Sequence, residues 1–250
     1  MFSPKELCFV AALASTALGH GHVKSIVMDT KTYTGYLPVA TPDFTADPPS
    51  ILRKIPGHEP QQDVYSNNMT CNAFAEPISD DGFARVADIH AGSVAHYFWD
   101  EWSHLSPIHT YMARCDPDCG TFKGSDGEKV WFKIEEEAAD ADGVWASQRL
   151  HDDNFRWNIT IPPCLAPGQY LIRHEIIQLT SAREVGGCQF YMNCAQVNVV
   201  GKEGEGGVVP DELVALPGAY SPEDPGVLWD SYEQDPRDYV LPGPRPFKCP

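Results

Sequence analysis

The sequence predicts an all-β fold, an antiparallel β-sandwich with long loops, and three observations carry that prediction. Helical periodicity is scarce, and the chain holds 22 prolines, residues that break helices and favour turns and extended backbone. Seven short apolar or alternating runs recur instead, at 22–27, 83–90, 93–99, 129–134, 155–161, 170–179 and 189–200. Pro, Gly, Asp or Asn punctuates the gaps, and no alternating βαβ order is visible. Seven strands separated by turns fit a sandwich of the immunoglobulin/fibronectin III-like kind.

Taken in order, residues 1–19 read as a secretory leader. Lys5 gives a weakly positive start, 7–18 form a short apolar run, and Ala17 and Gly19 place small residues before a cut. The run falls short of the roughly 20 apolar residues that a bilayer span needs, so a secreted, extracellular product is expected. Residues 20–250 are enough for one large β domain. Within them, 29–66 has no sustained period, and the acidic stretch 135–153 is expected to hold a helical turn or two. The Pro- and Gly-rich segment 201–250 carries Tyr220, Trp229, Tyr232, Tyr239 and Phe247. That is too aromatic for a flexible linker, so it is expected to wrap the sandwich as ordered coil. No Ser/Thr-rich linker leads to a small cysteine-rich module, and no appended carbohydrate-binding module is expected.

The net charge of −17 survives loss of the leader, because Lys5 and Glu6 leave together. A chain this acidic repels nucleic acid and anionic membranes and favours neutral molecules or cations as partners; a monomer is expected. Seven cysteines follow the leader: Cys71, Cys115, Cys119, Cys164, Cys188, Cys194 and Cys249. In an oxidising compartment most should pair, and the odd number leaves one over. No Cys-x-x-Cys pair suggests zinc. Asn68-Met69-Thr70 and Asn158-Ile159-Thr160 are candidate glycan sites.

Cleavage after Gly19 would make His20 the first residue, with an amine and an imidazole on one residue. Copper(II) prefers nitrogen donors in a tetragonal arrangement, and a metal can displace the amine's proton near neutrality. His22, two residues on, offers another mode, because a free amine with histidine at the third position forms a compact square-planar copper or nickel site. Among the remaining histidines, context favours His104, in a run between an aromatic strand and the close pair Cys115 and Cys119. In Gln189-Phe190-Tyr191, period-2 geometry puts Gln189 and Tyr191 on one face. A phenol there suits a weak axial oxygen donor, and an amide suits hydrogen bonding to an oxygen ligand. The same pattern also describes a half-buried strand.

Several motifs together resemble the fungal lytic polysaccharide monooxygenases of auxiliary activity family 9, formerly glycoside hydrolase family 61. They are His20-Gly21-His22-Val23, His104-Leu105-Ser106-Pro107, Tyr111-Met112-Ala113-Arg114-Cys115, the run 167–177, Gln189-Phe190-Tyr191, Pro217-Gly218-Ala219-Tyr220-Ser221 and Leu241-Pro242-Gly243-Pro244. They span nearly the whole chain after residue 19. The resemblance implies one copper ion per chain, bound by His20 through amine and side chain, by His104, and axially by Tyr191, with Gln189 as a hydrogen-bond donor nearby. It implies disulfides Cys71–Cys194 and Cys115–Cys119, leaving Cys164, Cys188 and Cys249 unassigned. It makes Tyr239 an aromatic on a flat substrate-facing surface. The implied activity is oxidation of an insoluble polysaccharide, cellulose or a related β-1,4-glucan or hemicellulose, at C1 and/or C4. An external electron donor and oxygen or hydrogen peroxide are the co-substrates.

Two positions depart from the family pattern. Thr180 stands where the family usually has a histidine, and threonine has no titratable proton near neutrality. Ser106 replaces a usual glycine. The first departure keeps a second reading open, a non-catalytic secreted copper-binding protein on the same scaffold. A conventional glycoside hydrolase needs two carboxylates about 5 to 9.5 Å apart across a cleft, and no convincing motif supplies them.

Overall fold

The computed structural model describes residues 21–36, 50–201 and 206–250; the leader and His20 lie outside the described residues. In chain order the strands are β1 (Val23–Met28), β2 (Lys31–Thr34), β3 (Ser79–Asp80), β4 (Phe83–Ala84), β5 (Ala87–His90), β6 (Val94–Trp99), β7 (Ile108–Arg114), β8 (Lys129–Glu137), β9 (Arg156–Thr160), β10 (Gly168–Gln178), β11 (Gln189–Val200) and β12 (Val214–Ala215). The helix α1 (Ala146–Asp152) sits in the acidic stretch expected to contain one. One sheet runs β2-β1-β6-β9 and a larger one β12-β8-β7-β10-β11-β5, with β3-β4 a separate hairpin. Pairings are antiparallel except β11 with β5. All seven predicted runs contain strands. Sequence reading missed the short strands β2, β3 and β12 and the longer β7; β7 is buried at six of its seven positions and so shows no alternation. Among the described residues, no helix is long and apolar enough to cross a membrane.

The pleat explains the layers. Alternate residues of β6, Ala95, Tyr97 and Trp99, point inward with Ile26 and Ile159 of the same sheet. They meet Met112, Ile172, Ile176 and Val197 from the large sheet. The opposite face of the large sheet is covered as well. There Tyr111, Leu171, Ile177, Phe190 and Met192 pack with Leu216, Tyr220, Trp229 and Tyr239. The aromatic segment 206–250 is thus an ordered coat. Of its aromatics only Tyr232 is largely exposed.

Because β10 is covered on both sides, its charged residues find their partners inside the protein. Arg173 Nη2 donates to Glu175 Oε2 at 2.5 Å, and its Nε reaches the carbonyls of Met69 and Thr70. The other oxygen of Glu175 accepts from the Tyr220 hydroxyl at 2.7 Å. Lys133, fully buried on β8, donates to Glu136 and to the carbonyl of Pro242, both at 2.7 Å. The coat is therefore tied down at Tyr220 and at Pro242. Cys71–Cys194 and Cys115–Cys119 form as the resemblance implied, Cys164–Cys249 adds a third bridge, and Cys188 is left as a buried free thiol. Asn158 is exposed and Asn68 half-buried.

Two predictions follow from these buried groups. Glu175→Ala leaves the Arg173 guanidinium buried without its carboxylate, a class of change that costs about 3 to 5 kcal/mol. Chemical denaturation should read that loss, and hydrogen exchange should show the coat near Tyr220 opening first. The second concerns pH. Burial, with the charge of Arg173, lowers His174 to about 3, and burial holds His109 well below the ordinary value. Free imidazole titrates near 6.5, so their stability is complete above about pH 6.5 and is lost as pH falls toward the folded values. Glu135 works in the opposite sense. Burial raises it to about 7 despite hydrogen bonds from Thr110 and Trp157, so its contribution declines as pH rises from about 4.3. Melting temperature should rise from pH 4 to 6.5, and Glu135→Gln should steepen that rise.

Candidate metal centre

The loop joining β6 to β7 carries His104. It begins where the Asp100 amide donates to the His22 carbonyl at 3.0 Å, which docks the loop on the first described residues of the chain. Trp102 is its buried centre, packed edge-on against Trp99, Tyr191 and the His104 ring at centroid distances of 6.0, 4.9 and 6.1 Å. Its Nε1 donates to the His104 carbonyl at 3.0 Å and to Ser106 Oγ at 3.1 Å. The Ser106 amide donates to the Ser147 hydroxyl of α1 at 2.9 Å, and the Ser147 amide donates to the Ser106 carbonyl at 3.2 Å. Ser106 is not among the positive-φ residues, so the change from glycine carries no backbone strain and its side chain helps to close the loop.

Two further segments reach this loop. Thr180, in the β10–β11 connection, places Oγ1 3.4 Å from Nδ1 of His104. At the start of β11, Tyr191 is buried and donates its hydroxyl to Gln189 Oε1 at 2.7 Å. Burial, then the nearby charge of Glu59, pushes the Tyr191 phenol above its ordinary value, so it stays neutral across the working pH range. The structure thus brings His104, Thr180, Tyr191 and Gln189 into one neighbourhood around Trp102. Gly21 adjoins it: a Cβ there would lie 3.4 Å from Asp100 Cβ and 3.5 Å from the Trp102 ring. Residue 20 is one peptide bond away in sequence.

A second grouping lies beside the first. His22, His58 and Asp100 offer ligand atoms that all lie within 4.8 Å of one another. His22 Nδ1 is 2.7 Å from Asp100 Oδ2 and 3.3 Å from His58 Nδ1. Burial tends to raise the Asp100 carboxyl, but the hydrogen bond from His22 and the charges of His22, His58 and Lys24 outweigh it and hold the group below its ordinary value. The third-position chelate considered from sequence would also need the amine of residue 20, which lies outside the described residues. Sequence reading left His58 as one candidate histidine among several and did not reach Asp100; they stand 36 and 78 residues from His22 in the chain and belong to no motif.

Tyr239 requires a correction. It is 8% exposed, clamped edge-on between Trp145 and Trp229 at 5.2 and 5.1 Å, with its hydroxyl on the Gly226 carbonyl at 2.5 Å. A ring held inside the coat cannot lie on a substrate. An exposed aromatic, Tyr232, 68% accessible, lines an open hollow with Thr180, Ser181, Arg183 and Glu184.

The chain matches Auxiliary Activity family 9 (formerly GH61) over residues 20–239. It is 41% identical to AA9 family lytic polysaccharide monooxygenase B of Malbranchea cinnamomea, over 96% of this chain and 97% of the relative. It is 35% identical to AA9 family lytic polysaccharide monooxygenase A of Gloeophyllum trabeum, over 98% and 77%. Its fold superimposes on the extended catalytic domain of H. jecorina LPMO9A with a TM-score of 0.80, at 31% identity and 90% coverage of each chain. A cellulose-active polysaccharide monooxygenase from M. thermophila gives 0.76, at 30% identity and coverage of 92% and 99%. A β-sandwich shared end to end, and a match that opens at His20, lead to one conclusion: the chain belongs to Auxiliary Activity family 9 and is an enzyme of the monooxygenase class.

Proposed function

We propose that residues 20–250 act as one secreted catalytic domain, freed by cleavage after Gly19, that oxidatively cleaves cellulose or a related β-1,4-glucan at C1 and/or C4. One copper ion per chain would be held by the amine and side chain of His20, by His104 and by Tyr191. The observation that carries this reading is the convergence on Trp102 of the His104 loop, Tyr191 and the first described residues of the chain. The M. thermophila structure, described as cellulose-active, supports the substrate.

The residues suit the ion. His104 can donate its Nδ1 proton to Thr180, leaving Nε2 as an imidazole ligand. Tyr191, kept neutral, offers a weak oxygen donor. Copper bound there supplies the one-electron and oxygen chemistry that hydroxylates a glycosidic carbon. The chain supplies placement: Trp102 fixes the ligand loop and seals its inner side from water. Gln189, its Oε1 taken by Tyr191, has Nε2 to donate to a small oxygen ligand. Tyr232 offers a ring to the apolar face of a sugar, and Arg183 and Glu184 flank it with groups for sugar hydroxyls. An external reductant and oxygen or hydrogen peroxide complete the reaction.

Thr180 favours a second reading. Its hydroxyl orients His104 but cannot exchange a proton as an imidazole would, which fits a protein that binds copper on this scaffold without turnover.

Mass spectrometry of products from several glucans and xylans, with copper and a reductant, separates the two. Oxidised oligosaccharides at C1 or C4 are expected; tight copper binding with no oxidised product would sink the enzymatic reading. Thr180→Ala should weaken copper binding by about 10 to 100-fold, the usual effect of losing a partner that orients a ligand. Thr180→His should restore orientation and raise the rate of product release. An unchanged affinity in Thr180→Ala would remove Thr180 from the site.

A further inference from the structure

We propose that Asn68 carries an N-linked glycan whose innermost sugar packs against Phe74, on the reading that residues 1–19 send the chain through a secretory pathway. Asn68-Met69-Thr70 is one of two sequons in the chain, and its asparagine is the less engaged. The hydrogen bonds of Asn68 are made by its backbone: the amide donates to Ser66 Oγ at 3.2 Å, and the carbonyl accepts from the Asn72 amide at 2.8 Å. Its side-chain amide has no hydrogen-bond partner among the described residues. The neighbouring Asn67, which starts no sequon, uses its side chain on Asp126, donating at 2.6 Å and accepting from the Asp126 amide at 3.4 Å. In the second sequon, Asn158 Oδ1 lies 2.6 Å from His96 Nδ1.

Local structure explains the difference. Asn67–Met69 is a single 3-10 turn. Met69 is fully buried and its amide returns to the Ser66 carbonyl at 3.0 Å, so the turn is pinned from beneath while Asn68 stays half-buried. Thr70 is 4% exposed and donates its hydroxyl to the Leu216 carbonyl at 2.7 Å. A transferase that reads the sequon needs that threonine in reach, so the sugar must be added before segment 206–250 docks over Thr70. In that step Asn68 Nδ2 attacks the anomeric carbon of an oligosaccharide carried on a polyprenyl diphosphate. The nitrogen–carbon bond forms, the bond from that carbon to the diphosphate oxygen breaks, and the lipid diphosphate leaves with the electron pair. Nδ2 releases one proton, and nothing is oxidised or reduced.

The folded chain then has a place for the first sugar. Asn68 and Phe74 line one hollow of about 220 Å³, the scale of a single sugar residue. Phe74 is 67% exposed, and the backbone holds it there. Asn72 and Phe74 both take positive φ, 85° and 58°, a conformation that bulky side chains rarely adopt and that surrounding structure must enforce. A hexosamine ring has a face of C–H bonds and an edge of hydroxyls. Phe74 offers a ring to the face. Lys123 and Glu76, paired at 3.1 Å, and Asp126 line the same hollow and offer polar partners to the edge.

The test expresses the full chain in a filamentous fungus with Asn158→Gln, so that any N-linked glycan sits at Asn68. Peptide mass spectrometry of the chain recovered from the medium should find Asn68 occupied. Adding Asn68→Gln should lower the melting temperature by about 2 to 4 °C, the shift that one aromatic contact gives in a domain of this size, and should speed hydrogen exchange over 72–77. Trimming the glycan to its first sugar with an endoglycosidase should change neither. Phe74→Ala should erase the difference between glycosylated and unglycosylated chains, and Phe74→Tyr, which keeps a ring, should preserve it. A bare Asn68 in secreted protein overturns the inference and leaves secretion standing, whereas a chain held in the cells with its leader uncut overturns both. A glycan whose loss changes neither stability nor exchange, or whose effect survives Phe74→Ala, overturns the packing on Phe74.

Discussion

A strand buried on both sides cannot hide a polar group by turning it to water, and β10 is such a strand. Its even positions face the small sheet and its odd positions face the coat, so Arg173 and Glu175 have to be answered from within the protein. The answers come from far along the chain: the carbonyls of Met69 and Thr70, the hydroxyl of Tyr220, and through it Tyr111. This one requirement fixes where segment 206–250 must lie. The same coat then reaches the β10–β11 connection, where the Trp229 amide binds the Ala182 carbonyl at 2.9 Å. Thr180 is therefore positioned by the device that neutralises the charges beneath.

The end of the sandwich around Trp102 is arranged differently. Gln189 and Tyr191 stand at the start of β11, whereas His104 and Thr180 come from loops, and the His104 loop is closed on α1 through Ser106 and Ser147. Trp102 does most of this closing, with one hydrogen bond into its own loop at His104, another at Ser106, and its ring against Tyr191. Preorganisation of this kind lets a site meet tight distance requirements without the rigidity of a helix or strand.

Sequence reading reached the fold through alternation and failed where alternation fails. Strand β6, with buried and half-buried positions in strict turn, was plain; β7, buried from Ile108 through Ala113, was not, and its His109 and Thr110 further disguised it. His104, Thr180, Gln189 and Tyr191 were legible because they sit in motifs, and contacts in the structure support their grouping. Tyr239 was misread because a motif reports which residue is present and not which way it faces. The grouping of His58 and Asp100 with His22 was invisible, since it is made by tertiary contacts alone. The pairing of Cys164 with Cys249 was equally beyond reach, as spacing does not decide connectivity.

The disulfides also have unequal access to solvent. Cys71, Cys194, Cys115 and Cys119 are all at most 5% exposed, whereas Cys164 and Cys249 are only partly covered. Thiol–disulfide exchange requires a nucleophile to reach sulfur. A thiol-containing medium holds molecules able to open such cross-links. Here two bridges are shielded by packing, and the third, which fastens the far end of the coat, is the one such molecules can approach. Prolonged work in a reducing medium would therefore show first as an untethered end beyond Pro242, with the sandwich beneath it still intact.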